Sequence, residues 1–527
     1  MNARTSPIRS SRRQEAHFFV TRRWSLLTSA ATTLIVLATP VLAQTSRVEF
    51  TITDASTQKP VPCRIHLTGP DGKTVRAPNL LFFRDHFSCP GTAQLELPPG
   101  EYRYEIERGP EFKQVAGSFT AGANSPQRVA AKLERITDLT KEGWFSGDLH
   151  VHRPPGDIEL LMRAEDLHIA PVMTWWNRMN LWSTQKPPAQ LLVNFDRNRF
   201  HQLMAGEDER EGGALLYFNL NEPLPITAAT REFPSPMKFL AMARAKPGVW
   251  VDVEKPFWWD APVWLASGQV DSVGLANNHM CRSQMYETEA WGRPRDAARL
   301  PAPRGNGYWT QEIYYHLLNS GLRVPPSAGS ASGVLPNPVG YNRVWVHCGP
   351  ELTWAKWWDG LRAGRSFVSN GPLLRVKANG QWPGHVFAGR DGVEVQLEAA
   401  LDGSDTMSTF EIIKNGLVER TVTRDKWFES GSQLGKLKFT ESGWFLVRVI
   451  ADNPRTFRFA STAPFYVEVG DTKRRVSRAS AQFFLDWVRE RMPRVKLTDP
   501  AQLEEVLAHQ RTAERFWQEQ VAKANAE

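Results

Sequence analysis

Residues 147–152, Gly-Asp-Leu-His-Val-His, place two histidines two positions apart at the end of a predicted strand. Side chains alternate along an extended chain, so His150 and His152 project to the same side. Two imidazoles on one side can share one divalent metal ion. Asp148 lies on that side as well and could orient a ligand through a hydrogen bond. The pattern predicts a metal site, and the alternative is a pair of exposed or hydrogen-bonded strand histidines.

The residues around this motif alternate between short apolar runs and helical patterns. This alternation over residues 140–372 favours a parallel sheet or barrel with helices outside. In such folds the chemistry gathers at the C-terminal ends of the strands. Strands are predicted at residues 144–150, 169–174, 214–219, 249–254 and 271–276, and helices at 157–168, 236–245 and 308–319.

The motif at 147–152 resembles the first motif of the PHP-type (polymerase and histidinol phosphatase) metallohydrolases, and more narrowly that of the CehA/McbA family. The family's motif runs His-x-His-Thr-x-x-Ser-Asp-Gly, and here Asp157 follows the second histidine by five residues. Gly206-Glu207 and residues 357–372 (Trp-Trp-Asp-Gly-Leu-Arg-Ala-Gly-Arg-Ser-Phe-Val-Ser-Asn-Gly-Pro) are similar to further parts of that family's catalytic region. The resemblance covers residues 140–372. It implies a distorted (β/α)7 barrel that holds zinc or manganese ions and activates a water molecule.

Carried over position by position, the family's metal ligands fall on His150, His152, Asp157 and Glu207. Three further ligand motifs depart from the family pattern. Thr-Asp-His-Asn reads Thr-Trp-Trp-Asn at 174–177, His-Pro reads Lys-Pro at 255–256, and Gly-Ser-Asp-x-His reads Gly-Ser-Ala-Ser-Gly at 329–333. At least four family ligands are missing, so we expect one or two ions rather than three.

Polar residues at the ends of predicted strands could replace the missing ligands. His279 could be a ligand, with a hydrogen-bonded core or loop histidine as the alternative. Glu254 could be a ligand or general base, and Lys255 a carbamylated bridging ligand or a cation that stabilises an oxyanion. A local ion pair between these two is the alternative. Asp157 could equally cap the helix that follows it, and Glu207 could belong to a solvated charged loop.

Tryptophan pairs occur at 175–176, 258–259 and 357–358. The first two follow predicted strands and could wall an apolar or aromatic substrate pocket or stack on a sugar. Core packing is the alternative, and it is favoured for the third pair. The sequence has no Gly-Lys-Ser/Thr phosphate loop, and Ser330 lacks the setting of a nucleophile elbow.

Two β-sandwich domains are predicted to flank the barrel. Residues 47–134 show strand alternation and resemble the transthyretin-like or carboxypeptidase-regulatory accessory domains. Residues 373–470 predict an immunoglobulin-like sandwich. Residues 477–527 predict C-terminal helices, with Asp499 as the cap of the last one.

Residues 1–43 predict a secretory signal peptide, because a basic start, an apolar run and small residues at the end describe one. Arg22-Arg23 resembles a twin-arginine signal, with Ser25 where an apolar residue is usual. An uncleaved anchor helix is the alternative. No later stretch approaches about 20 apolar residues, so a periplasmic or secreted protein without a stable membrane span is predicted.

The charge is concentrated at the start of this 527-residue chain. It has 64 Lys and Arg against 56 Asp and Glu, but residues 1–43 hold six arginines and one glutamate. The remainder has 58 basic and 55 acidic residues. A chain that is nearly neutral over this length does not suggest a nucleic-acid binder.

The chain has four cysteines, none with CxxC spacing, so no cysteine-based zinc site is predicted. Outside the cytoplasm cysteines can pair. Cys63 and Cys89 lie in one small region and could form a disulfide.

Together these features predict an exported metal-dependent hydrolase. A metal-activated water would attack an ester, carbamate or phosphoester of a small-molecule or glycan substrate. The alternative is a non-catalytic protein that binds a glycan or another ligand on a degenerate PHP barrel. The predicted metal ligands are His150, His152, Asp157, Glu207 and His279, and the predicted catalytic residues are Glu254 and Lys255.

Overall fold

A computed structural model describes residues 45–123 and 125–527 of the chain. The chain is of mixed α/β class, and most of its regular structure lies in strands that form several sheets. The predicted signal peptide, residues 1–43, lies outside the described residues. Among those that are described, no helix is long and apolar enough to cross a membrane.

The N-terminal part is built from eight strands: β1 (Ser46–Asp54), β2 (Cys63–Thr68), β3 (Leu81–Phe83), β4 (His86–Cys89), β5 (Thr92–Leu97), β6 (Gly100–Glu107), β7 (Val115–Ala121) and β8 (Gln127–Leu133). They form two sheets of order β5–β1–β8 and β3–β4–β2–β6–β7. Buried side chains from both sheets share one hydrophobic core. This is the two-layer arrangement that strand alternation predicts.

The central part contains eleven strands: β9 (Trp144–Gly147), β10 (Ile169–Trp176), β11 (Met179–Asn180), β12 (Leu192–Asp196), β13 (Arg199–Arg210), β14 (Gly213–Phe218), β15 (Trp250–Val253), β16 (Ser272–Ala276), β17 (Pro326–Ala328), β18 (Arg343–His347) and β19 (Ser366–Ser369). Pairing runs β9–β10–β13–β14–β15–β16–β17. Backbone bridges from Val151 to Val172 and to Ser332 close this sheet into a barrel.

Helices connect the barrel strands: α1 (Ile158–Ala164), α2 (Pro236–Arg244), α3 (Ala261–Ala266), α4 (Gly305–Asn319) and α5 (Trp354–Arg362), with short 3-10 helices at Leu139–Glu142 and Leu181–Ser183. The predicted strands and helices of this region are confirmed to within a few residues at most ends. The helix predicted at 157–168 is shorter, because the chain leaves it at Asp166, which has φ 50°.

The barrel is not all parallel, and this corrects the prediction of a parallel sheet. Strand β14 runs antiparallel to both β13 and β15. Only residues 211–212 separate β13 from β14, and so short a link permits a hairpin but no crossover. The sequence pattern does not predict β13 as a strand, because polar side chains such as His201, Gln202 and Asp208 flank its short apolar run and are buried with it.

The C-terminal part has nine strands and one short helix: β20 (Leu373–Ala378), β21 (Val386–Gly389), β22 (Val393–Asp402), β23 (Thr409–Lys414), β24 (Leu417–Thr423), α6 (Arg424–Glu429), β25 (Gln433–Phe439), β26 (Gly443–Ile450), β27 (Phe459–Thr462) and β28 (Phe465–Val469). The sheet β20–β22–β25 shares a core with the strands of a second sheet. Strand β19 pairs with β27, so the second sheet continues from the barrel.

Two helices, α7 (Arg478–Arg491) and α8 (Pro500–Ala522), and a 3-10 helix at Met492–Arg494 end the chain. As predicted, Asp499 caps α8, where its carboxylate accepts from two backbone amides. The helices pack on the barrel. The Nε1–H of Trp517 donates to the carbonyl of Pro262 at 3.0 Å, and Arg491 lies 2.8 Å from Asp260.

Candidate metal centre

Two histidines and one glutamate converge at the rim of the barrel. The Nε2 atom of His150 lies 2.9 Å from Nε2 of His152 and 3.2 Å from Oε1 of Glu207. The Nε2 atom of His152 lies 3.0 Å from Oε2 of the same carboxylate. Each side chain is only 4% exposed. The three residues form a group that could hold a metal ion.

The spacing of the donor atoms fits a single ion. Ligand bonds of about 2.1 Å at right angles place neighbouring donor atoms about 3 Å apart. The three distances of 2.9, 3.2 and 3.0 Å agree with that value. Two neutral imidazoles and one carboxylate suit zinc, manganese or iron.

Backbone pairing presents the two histidines on one side of the chain. Strand β9 ends at Gly147, and a bend at Leu149 follows it before the isolated bridges of Val151. The amide of Leu149 donates to the carbonyl of Ala328 at 3.0 Å, and the amide of His152 donates to Ser332 at 2.7 Å. These bonds and the bridges of Val151 fix the backbone on both sides of His150, and the two imidazoles lie together as the sequence predicts.

Glu207 reaches the histidines from β13. Its residue pairs with Trp176 at the end of β10, next to the strand that precedes the motif. Asn177 fixes the backbone beside it, because its side-chain oxygen accepts from the amide of Glu209 at 2.6 Å. Glu207 is 3% exposed, so the alternative of a solvated charged loop is wrong.

Asp148 holds the backbone of the site and does not belong to the group of three. Its carboxylate accepts from the amides of His150 at 3.0 Å, Ser330 at 2.9 Å and Gly340 at 2.7 Å. Burial raises the pKa of this carboxyl group. The hydrogen bonds to its ionised form partly offset that rise. Asp148 therefore orients His150 through the main chain.

Glu254 lies on the other side of the His150 ring. Its Oε1 atom is 3.3 Å from Nδ1 of His150, and it also accepts from the side chain of Asn278 at 2.7 Å. The Nε1–H of Trp258 donates to Oε2 at 3.0 Å. A histidine that donates from Nδ1 to a carboxylate keeps the Nε2 lone pair for a metal. Glu254 is placed to orient a ligand rather than to act as one.

Lys255 forms a buried ion pair with Glu254, which was the alternative left open by the sequence. Its Nζ atom also lies 4.5 Å from the ring centre of Trp258. The side chain of Lys255 is only 2% exposed. Burial would raise the pKa of Glu254, but Lys255 and then His150 outweigh it and lower the pKa to about 2. The lysine thus keeps Glu254 ionised.

The carboxylates set the protonation of His150. Burial alone would lower the pKa of this imidazole, but Glu207 and Glu254 outweigh burial and raise the pKa to about 10. The same pairing holds the pKa of Glu207 well below its usual range, although burial opposes this. The surroundings of His150 favour positive charge, which a divalent cation would supply in place of the proton.

His279 and Asp157, also predicted as ligands, are not part of the group of His150, His152 and Glu207. The ring of His279 packs on Phe257 and Tyr286, at centroid distances of 5.6 and 5.3 Å. Burial, with the charge of Lys255, lowers its pKa to about 3, so the ring is neutral. Asp157 immediately precedes α1, yet its side chain makes no cap hydrogen bond.

The tryptophans take different places around the site. Trp176 contacts His152 edge to face, with ring centroids 5.0 Å apart. Trp175 and Trp258 are 1% exposed and Trp259 is 8% exposed, so core packing, the alternative interpretation, applies to them. Trp357 is also fully buried, as favoured from the sequence. Only Trp176 among the first two pairs stands beside the histidines.

A second group of two histidines and one carboxylate lies in the N-terminal sandwich, where the sequence pattern predicts no site. It consists of His66, Asp85 and His86. Nδ1 of His86 is 2.8 Å and Nδ1 of His66 is 3.4 Å from the Asp85 carboxylate. The Nε–H of Arg64 donates to Nε2 of His66 at 3.0 Å. This bond requires the proton of neutral His66 to be on Nδ1, the atom that faces Asp85. The second group is therefore closed by hydrogen bonds and by a neighbouring cation.

No family model matches this chain, and no curated protein matches it. Among solved structures, a minor pilin of Streptococcus agalactiae is 18% identical over 18% of this chain and 46% of its own, with a TM-score of 0.16. The Bacillus anthracis TIE protein is 16% identical over 20% of this chain and 19% of its own, with a TM-score of 0.15. β-Glucuronidase 3 of Bacteroides uniformis is 10% identical over 81% of this chain and 63% of its own, with a TM-score of 0.17. Likenesses this weak carry no argument about fold or function.

Proposed function

We propose that this chain is an exported metal-dependent hydrolase built on a barrel of the PHP type. One zinc or manganese ion is held by His150, His152 and Glu207. The observation that carries the proposal is the convergence of their three donor groups within 3.2 Å of one another. The substrate is an ester, carbamate or phosphoester of a small molecule or a glycan. The closed barrel and the place of the histidines just past a strand end support the PHP-type assignment.

A divalent ion at this position would supply a Lewis acid that polarises a substrate oxygen and makes a water molecule more acidic. Side chains of the protein fix the positions of the donor atoms that would hold this ion. Glu254 fixes the ring of His150, Asp148 fixes the backbone, and Glu207 faces both imidazoles. With neutral histidines, the two glutamates and Lys255 leave one net negative charge beside the donor atoms. That charge favours a cation over an anion.

Lys255 acts in this proposal as a positioning residue. It pairs with Glu254 and is buried under Trp258, so its ammonium group is not free to meet a developing oxyanion. Its contribution is to hold the Glu254 carboxylate ionised against His150. This replaces the catalytic role that the sequence suggested for it.

The rival function, glycan binding on a degenerate barrel, has less support. Stacking on a sugar requires an exposed aromatic face. Trp175 and Trp258 bury theirs in the core, and Trp176 turns its ring toward His152. The arrangement of charged donors also has no purpose in a binder that uses only stacking.

The test is elemental analysis of the purified mature protein, combined with hydrolysis assays on nitrophenyl esters, carbamates and phosphoesters. About one zinc or manganese per chain is expected, with turnover that a chelator removes and the ion restores. His152→Ala should lose the ion and the activity, whereas His509→Ala, a half-buried histidine on α8, should keep both. A metal-free, inactive protein that retains glycans would overturn the proposal in favour of the binder.

A further inference from the structure

The strongest unassigned feature outside the barrel is a pair of cysteines in the N-terminal sandwich. Cys63 begins β2 and Cys89 ends β4, and the two residues are directly opposite in an antiparallel pair. Both are fully buried in the sandwich core. In the structure both are free thiols.

The backbone register meets the steric requirement of a disulfide. Directly opposed residues of an antiparallel pair have Cα atoms about 4.5 to 5.5 Å apart. Disulfides span Cα separations of about 4.4 to 6.8 Å. The two residues are already opposite each other in this register, so no change of strand position is needed to join them.

The other two cysteines have different partners. The thiol of Cys281 donates to the carbonyl of Asn278 at 3.4 Å, and that of Cys348 to Val346 at 3.7 Å. Burial raises the pKa of each to about 12. Each of these thiols is hydrogen-bonded to a backbone carbonyl and not to another cysteine, so we expect both to remain thiols.

We propose that Cys63 and Cys89 form a structural disulfide that joins β2 to β4. The oxidant is a small disulfide such as oxidised glutathione or a disulfide-carrying enzyme. The Cys89 thiolate attacks one sulfur of the oxidant and releases the first thiol. Cys63 then displaces the second thiol from the mixed disulfide. The protein loses two electrons and two protons, and the oxidant becomes two thiols. Because both sulfur atoms are buried, the bond forms before the sandwich closes.

The disulfide would also stabilise the contact between the β3–β4 hairpin and the barrel. The guanidinium of Arg153, next to the ligand His152, lies 4.5 Å from the ring centre of Phe83. Arg84 donates to the carbonyl of Val334 at 2.7 Å. A cross-link at Cys89 holds the strand that carries this hairpin, and so stabilises its contact with the barrel.

The test uses the full chain, exported into an oxidising compartment and lysed directly into denaturant that contains iodoacetamide but no reductant. After denaturation without reductant, only Cys281 and Cys348 should carry the alkyl label, and digestion should give a linked peptide containing Cys63 and Cys89. Reduction should expose both and lower the Tm. Alkylation of Cys63 and Cys89 without reduction, or a link to either other cysteine, would overturn the proposal.

A matched pair of variants separates this bond from general effects of reductant. The double variant Cys281→Ser, Cys348→Ser should keep the linked peptide and the fall in Tm on reduction. Cys63→Ala together with Cys89→Ala should show no such fall. If reductant lowers the Tm of that variant as much as that of the unchanged chain, no Cys63–Cys89 bond contributes to stability.

Discussion

The Nδ1 atom of His150 lies 3.3 Å from Oε1 of Glu254, on the opposite side of the ring from the atom that faces Glu207. This relationship fixes the ring orientation that a metal ligand needs, because Glu254 holds the proton on Nδ1 and a metal ion would replace the proton on Nε2. Glu254 can therefore be tested apart from the ligands.

Glu254→Gln should weaken zinc or manganese binding about 10- to 100-fold, because an amide holds the His150 ring less firmly than a carboxylate. The dissociation constant is measured by competition with a chromophoric chelator. The matched control is Glu398→Gln, an exposed glutamate on β22 of the C-terminal part, which should bind as the unchanged protein does. Unaltered affinity in Glu254→Gln would show that Glu254 does not orient the ligand.

Gly329→Ala should lower metal affinity at least about tenfold without removing any donor atom. A Cβ at this position would lie 2.4 Å from Cβ of His150 and would push the histidine aside. Gly156→Ala is the control, since its added methyl group meets nothing within 4 Å. Isothermal titration with zinc compares them. Equal affinities would mean that the position of His150 is not critical.

The sequence predicts the His150–His152 pair well, because period-two alternation needs only an extended chain. It locates Glu207 through the family resemblance but not the strand that carries it. Strand β13 is buried on both faces and carries several polar residues, so it lacks the apolar pattern on which strand prediction depends.

Where the predicted and observed sites differ, the difference lies in the direction of a side chain, which the order of residues in the sequence does not specify. His279 follows a barrel strand as predicted, but its ring turns to Phe257 rather than to the other histidines. The sequence identifies Glu254 and Lys255 as candidate catalytic residues. Only the structure shows that the lysine forms an ion pair with the glutamate and that the glutamate lies beside Nδ1 of His150.

His86→Ala should leave the metal content of the protein unchanged. The group of His66, Asp85 and His86 is occupied by hydrogen bonds, and Arg64 places a positive charge beside it. Elemental analysis of the variant checks this. Loss of one ion per chain would show that the second group binds metal despite the arginine.

Glu111 should make stability depend on pH. It is 1% exposed, and burial, together with nearby Asp166, raises its pKa to about 8 against the opposing charge of Arg135. The folded-state pKa thus exceeds the ordinary glutamate pKa of 4.5. The folded protein binds more protons than the unfolded chain between these values, so the contribution of Glu111 to stability falls as pH rises from 4.5 to 8.

Glu111→Gln removes this ionisation but keeps an oxygen to accept from the amide of Leu139. Relative to the unchanged protein, the variant should gain on the order of 3 kcal/mol between pH 5 and pH 9, measured by urea unfolding. The exposed Glu134→Gln serves as control. Parallel pH profiles for Glu111→Gln and the unchanged protein would contradict a raised pKa.

The account depends most on one ion among His150, His152 and Glu207. The direct measurement is the anomalous scattering of a crystal of the full mature protein, collected on both sides of the zinc and manganese absorption edges. We predict one peak, about 2 Å from Nε2 of each histidine and from a Glu207 oxygen. A crystal grown with the metal that shows no peak there, or a peak only at His66, Asp85 and His86, would contradict the central claim.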